Sequence, residues 1–402
     1  MNSETLLRQE MVFKAAKHYG SPAYVYDMDQ LMQNIHVFNT LRKQDFFRLN
    51  YACKANSNIN ILKLMRDEGL GLDLVSPGEI ELALHLGFDA EKLFFTPSNA
   101  ANEELSYALD QGVFVVADHI DAVQFIGKSY PDRPFGIRLK PDIIDGGNEK
   151  VTVGGKDSKF GIALEDVFKY SSQWKEKGYK IELLHAHVGS DLEGLDSFQG
   201  ILDIFYRLLA QFSHLKTVNI GGGYAVNYDS AHPKWSTDDL LQKTRRFHQS
   251  TGLNIMTEPG KFLVSNIGYF VTRVNRKKQG SGFEFLCLDS GFNHFIRPMY
   301  YNASHRVITE KEQQGRDNNY RLVGNICEKD EFNKNILLPE MHAGDYLAFI
   351  NAGAYCYSMA SNYNLRYLPK EILLWGNEMY EVTRPATLRE LIDRQVLVEA
   401  PY

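Results

Sequence analysis

Between about residue 45 and 260, short apolar runs alternate with stretches whose apolar positions recur at helical spacing. The runs are RLNYACK (48–54), LGLDLV (70–75), KLFFT (92–96), VFVVAD (113–118), FGIRLK (135–140), ELLHAHVG (182–189), KTVNIGGG (216–223) and NIMTEPG (254–260). Between them, segments such as INILKLMRDE and PGEIELALHLG place their apolar residues on one helical face. This alternation predicts βαβ units and a parallel sheet. Eight such strands in about 215 residues fit a (β/α)8 TIM barrel better than a doubly wound sheet.

After residue 262 the pattern changes. VSNIGYFVTRVNRKK, GFEFLCLDSG, NYRLVGNICE, GDYLAFINAGAY and EILLWGNEMYEV read as strands, with helix only near SMASNYN and at the C-terminus. They predict an antiparallel β domain of sandwich or barrel-like form. The early run PAYVYD (22–27) is expected to pair into it. The expected division is therefore a barrel over 28–262, and a β domain built from 1–27 with 263–402.

Composition narrows the function classes. The chain has 402 residues, 44% hydrophobic and 23% charged, which is ordinary globular usage and excludes disorder, collagen and coiled coil. A net charge of −6 without a basic block argues against a nucleic-acid partner, since phosphate binding needs clustered positive charge. No apolar run approaches the roughly 18 residues of a membrane span, and the N-terminus lacks a secretory h-region. A cytoplasmic protein with no membrane partner is the expectation. Cysteines at 53, 287, 327 and 356 are too scattered for zinc and too few for a disulfide scaffold, so no metal site is expected. Cys287 reads as a small buried hydrophobe; Cys327, among charged neighbours in GNICEKDEF, does not.

In a (β/α)8 barrel the C-terminal strand ends line the active site. YACKAN puts Lys54 at one such end, where it either snorkels to solvent or offers a desolvated amine for Schiff-base formation with an aldehyde. HAHVGSD sets His185 and His187 two apart, suited to metal ligation or, for one ring, to stacking on a cofactor. NIGGGYA supplies Gly221, Gly222 and Gly223, which permit close backbone approach to a phosphate or simply make a turn. TEPGK places Glu258 where a buried carboxylate needs a positive partner. Taken together, an amine, a ring-stacking histidine, a glycine loop and a carboxylate for a pyridinium nitrogen are what pyridoxal phosphate requires.

The same segments, with DLVSPGEIELAL, SKFGI, EPGKFLV, DSGFNHFIRPMYYNASH, CEKDEF and NAGAYCYSMASNYN, stand in the order of a known family. The sequence resembles the fold-type III pyridoxal-phosphate decarboxylases, the alanine-racemase-like barrel enzymes, from about residue 20 to 400. The resemblance is greatest to their diaminopimelate-acting branch. It implies decarboxylation of meso-2,6-diaminopimelate to L-lysine and CO2 in lysine biosynthesis; another acidic or carrier-bound amino acid is the alternative.

By that resemblance, Lys54 holds the cofactor aldehyde and His187 stacks on its ring. Ser190, the backbone at Gly221, Gly222 and Gly223, and the turn Glu258, Pro259, Gly260 and Lys261 surround ring and phosphate, with Glu258 facing the pyridine nitrogen. Tyr355 reaches cofactor and substrate. Cys327 helps reprotonate Cα, and in this family it comes from the other subunit, which implies a homodimer with a shared site. Arg297 and Tyr301 match a clamp on the distal carboxylate, and Glu328 matches the group that receives the distal ammonium. One departure stands out: the commoner motif is EPGR, whose arginine also grips the distal carboxylate, whereas this chain has Lys261. Lysine is a point charge and cannot make arginine's bidentate fork.

Overall fold

The computed structural model describes residues 3–143, 145, 154–155, 158–192, 194–226, 235–311, 318–384 and 386–398, and every candidate site residue lies among them. The chain divides into two compact units, 32–264 and 1–31 with 265–402.

The first unit is a closed barrel of eight parallel strands: β1 (Phe47–Ala52), β2 (Gly71–Leu74), β3 (Leu93–Phe95), β4 (Phe114–Ala117), β5 (Phe135–Lys140), β6 (Ile181–Ala186), β7 (Thr217–Asn219) and β8 (Asn254–Thr257). Each pairs with the next, and β8 closes the ring on β1 with Ile255 opposite Phe47. All eight coincide with the apolar runs. Strands buried on both faces must be nearly continuous in apolar residues, which is why the pattern was readable.

A helix follows each strand, and local chemistry sets its ends. Asn58 caps Ile59–Asp67 by accepting from the Asn60 amide. Ser76 caps Pro77–His85, with Pro77 in the first turn where its missing N–H costs nothing. Thr237–Thr251 stops at Gly252, whose φ of 73° is a left-handed cap that favours glycine. Inside the barrel, Phe94, Val116, Leu183 and Met256 form an apolar layer from four strands. Burying such a side chain contributes about 2 kcal/mol.

The second unit is a nine-stranded sheet. Its order is Glu331–Leu338, Asn318–Val323, Glu284–Leu288, Gly268–Gln279, Ala23–Asp27, Lys370–Trp375 and Glu378–Glu381. Tyr346–Ile350 branches from Gly268–Gln279 and carries Val307–Thr309. The sheet is mainly antiparallel, as its pattern suggests. Two pairs are parallel: Ala23–Asp27 with Lys370–Trp375, and Glu284–Leu288 with Asn318–Val323. The run within PAYVYD thus lies inside the sheet, antiparallel to Gly268–Gln279 on its other side. The helix Ser3–Tyr19 covers one face, packing Val12, Phe13, Ala15 and Ala16 on Val25, Val271, Ala348 and Ile372. Among the described residues, no helix is long and apolar enough to cross a membrane.

Candidate active site

The barrel mouth is built where β1, β2, β5, β6, β7 and β8 end. Lys54 sits in the 3-10 turn Cys53–Ala55 directly after β1. Its side chain is 42% exposed, and Nζ lies 2.8 Å from Oδ2 of Asp73, which is 1% exposed. Asp73 is on β2, opposite Ala52, and Thr96 donates to its other oxygen. Burial, with Glu258 adding like charge, raises the Asp73 carboxyl above the usual range despite Lys54. Burial likewise pushes up the neighbouring Cys53 thiol, which makes it an inert core residue.

Below the mouth, Arg138, His185 and Asn219 are successive register partners across β5, β6 and β7, and all three are buried. They form a polar layer that ends on Glu258, just after β8. His185 Nε2 is 3.3 Å from Glu258 Oε2, and Asn219 donates to Oε1. Burial alone would raise the Glu258 carboxyl, but His185, Lys54 and Asn219 outweigh it and hold it below the usual carboxylate range. The Arg138 guanidinium lies 4.6 Å from the centre of the Phe160 ring.

His187 differs from His185 in the element that carries it. β6 ends at Ala186, so His187 belongs to the loop above the strand and the two rings do not share a strand face. Its Nδ1 is buried with no hydrogen-bond partner among the described residues. Burial, then the positive neighbours Arg138 and Lys54, push His187 down to about 3, so the ring is neutral at physiological pH.

The glycine turn after β7 is wedged between the loops after β6 and β8. A Cβ on Gly221 would lie 2.8 Å from both Ala186 O and His187 Nδ1; on Gly222 it would fall on the Glu258 carbonyl, and on Gly223 on the Gly189 carbonyl. Glycine is required here by close approach, and at Gly221 and Gly223 also by φ of +70° and +101°. Asn219 Oδ1 accepts from the Gly221 amide at 2.9 Å and so shapes the turn. Pro259 O accepts from the Ala52 amide at 3.4 Å, and a Cβ on Gly260 would lie 3.1 Å from that of Ala52. Ser190 follows Gly189 on the same rim and is half-buried.

The remaining candidates belong to the second unit and form two groups there. The Arg297 guanidinium lies 5.3 Å from the Tyr301 ring centre, within cation–π reach, and Tyr355 is close enough to affect Tyr301 electrostatically. Tyr355 itself has φ +56°, an uncommon backbone for a bulky residue. Cys327 and Glu328 are exposed; the Cys327 amide donates to Asn364 at 3.0 Å, and Tyr363 OH donates to Glu328 at 2.8 Å.

The barrel mouth fits a phosphorylated planar aldehyde. It offers an amine, an orphaned imidazole nitrogen beside a glycine, a glycine turn with room only for backbone, and an ionised carboxylate at its base. Residues 30–265 match the family described as pyridoxal-dependent decarboxylase, pyridoxal binding domain. The chain belongs to the pyridoxal-dependent decarboxylases. Its cofactor is accordingly pyridoxal 5'-phosphate. The decarboxylase is 31% identical over 397 residues to the diaminopimelate decarboxylase of Methanothermobacter thermautotrophicus, covering 94% of this chain and 92% of that one. It is also 31% identical to that of Haemophilus influenzae, covering 94% of each. The crystal structure of diaminopimelate decarboxylase from Helicobacter pylori complexed with L-lysine superposes with a TM-score of 0.87 at 28% identity, covering 96% of this chain and 98% of that one. A lysine/ornithine decarboxylase from Vibrio vulnificus complexed with putrescine shares the fold, with a TM-score of 0.79 at 22% identity.

Sequence reading passed over Asp73, Arg138 and Asn219 in this decarboxylase. Asp73 is the one charged residue of Gly71–Leu74, Arg138 follows three buried residues in Phe135–Lys140, and Asn219 ends Thr217–Asn219 behind the buried Val218. That placement is the signal that finds them, because a lone buried charge needs a partner across the barrel.

Proposed function

We propose that this decarboxylase converts meso-2,6-diaminopimelate to L-lysine and CO2, in the cytoplasm and as a homodimer. One observation carries the reading: Arg297 stacked on Tyr301 supplies a cation, while Glu328 beside Cys327 supplies an anion. A substrate whose distal end bears both a carboxylate and an ammonium uses both. Lysine and ornithine end in a cation alone, which Arg297 would repel. The two diaminopimelate decarboxylases above, aligned over 94% of the chain, support the same choice.

The residues divide the work as follows. Lys54 provides the amine that binds the cofactor aldehyde, and His187, neutral and flat, lies against its ring. Ser190, the backbone of the Gly221, Gly222 and Gly223 turn and the Gly260 amide would hold the phosphate, the Gly221 amide itself being taken by Asn219, with Pro259 and Lys261 setting the turn beside it. Glu258, kept ionised by His185 and Asn219, holds a proton on the ring nitrogen. Pyridoxal phosphate, when bound, supplies the electron sink that accepts the electron pair left as CO2 departs. Arg297 and Tyr301 orient the distal carboxylate, Glu328 the distal ammonium, and Tyr355 contacts cofactor and substrate. Cys327 of the partner subunit returns a proton to Cα. The exposure of Cys327 and Glu328, with Tyr363, Leu365 and Tyr367 also exposed on the segment hydrogen-bonded to them, suits a surface that meets a second copy.

A second reading, an acidic or carrier-bound amino acid other than diaminopimelate, is favoured by Lys261 in place of the family's arginine. Product analysis of the cofactor-loaded protein separates the two. Lysine and CO2 from diaminopimelate, with nothing from lysine, ornithine, arginine or glutamate, is the expected result. Silence on diaminopimelate with the cofactor bound would overturn the first reading.

A further inference from the structure

Lys261 stands where the family motif has an arginine that grips substrate, yet here its ammonium is already engaged. Nζ lies 2.7 Å from Oδ1 and 2.6 Å from Oδ2 of Asp191. Lys261 is 13% exposed and Asp191 38%. Asp191 has φ +64°, and the next residue, Leu192, donates its amide to Gly223 O at 2.9 Å and bridges Tyr224. The pair therefore joins the loop after β6 to the loop after β8. Between those loops runs the glycine turn, bonded on one side through Leu192 to Gly223 and on the other through the Glu258 amide to Gly221 O at 2.9 Å.

We propose that Asp191 and Lys261 form a clasp that fixes these three loops in the geometry that receives the cofactor phosphate, with Asp191 a positioning residue acting through Lys261. The inference rests on the assignment of pyridoxal phosphate to the barrel mouth. Lys261, bound by both carboxylate oxygens, is then a neutralised strut rather than a cation offered to the substrate's distal carboxylate. Recognition of that carboxylate falls to Arg297.

The sign of one effect tests this. If Lys261 acted directly on the phosphate, removing the Asp191 charge would free the ammonium and tighten cofactor binding. If the pair is a clasp, Asp191→Asn loosens it. Equilibrium titration of the full-length apo-protein with pyridoxal phosphate and with pyridoxal, which lacks the phosphate, reads the difference. Asp191→Asn and Lys261→Met are each expected to weaken pyridoxal phosphate roughly two- to fivefold, the size of an ion pair with one partly exposed member. Pyridoxal binding stays at the wild-type value, the double variant is no worse than either single one, and the reversed pair Asp191→Lys with Lys261→Asp recovers part of the loss. Tighter or unchanged binding in Asp191→Asn, or additive losses in the double variant, would overturn the clasp. So would a Lys261→Met variant with wild-type cofactor affinity and a raised KM for diaminopimelate, which would return Lys261 to the substrate. Wild-type protein that does not distinguish pyridoxal phosphate from pyridoxal would instead refute the cofactor site itself.

Discussion

Lys54, in the turn after β1, meets Asp73 on the adjacent strand β2 with 2.8 Å between Nζ and Oδ2, the lysine half-exposed and the aspartate buried. The contact orders a long, flexible side chain at the barrel mouth, where an unpaired ammonium would otherwise swing into solvent. Asp73 is costly to bury, and Thr96 and Lys54 offset that cost.

Lys54→Ala removes the amine proposed to capture the cofactor aldehyde. The variant should lose the visible absorbance of bound cofactor and at least about 10³-fold in kcat, as expected for a covalent anchor. An absorbance titration and a CO2-release assay check both; retained turnover would refute the role.

Cys327→Ala should leave that absorbance intact while lowering kcat by about 10²-fold or more, the usual contribution of a positioned proton donor. Stopped assays at saturating diaminopimelate measure it. Loss of cofactor binding in this variant would instead make Cys327 structural.

His187 gives the apo-protein a pH dependence. Its pKa is about 3 in the folded chain, below the usual 6.5, so between these values the unfolded chain binds more protons. Stability from this group is thus complete above pH 6.5 and falls as pH drops toward 3. Between pH 7 and pH 5 the loss should be about 1 to 2 kcal/mol for a half-buried ring. Urea melts at the two pH values should show a smaller change in His187→Gln; an equal change in both proteins contradicts the assignment.

Gly222→Ala drives a methyl group onto the Glu258 carbonyl, whereas Gly194 faces open space. The first variant should cost about 1 to 3 kcal/mol, the range for overpacking, and weaken the cofactor; Gly194→Ala should do neither. Thermal melts and cofactor titration compare them, and equal Tm values would show that the loops yield.

The strand-end residues Lys54, His187 and Glu258 were legible because each interrupts or closes an apolar run at a place where a barrel puts its chemistry. Asp73, Arg138 and Asn219 were not, since a polar residue within such a run has no visible partner in one dimension. In the second unit, the strands could be found from their patterns, but the parallel pairing of Ala23–Asp27 with Lys370–Trp375 could not. Alternative strand orders bury the same alternating faces, so periodicity is silent on which one forms.

The eight strands and the residues at their ends could be read from the chain because burial on both faces and turn chemistry are written locally, while the order of its motifs carried the family resemblance. Only the tertiary structure decided which charges meet. Closing β8 on β1 brings Glu258 to His185 and Asn219, and packs the loops so that Lys261 finds Asp191. Those pairings join segments far apart in the chain, and Coulomb attraction acts on distance in space rather than along the sequence.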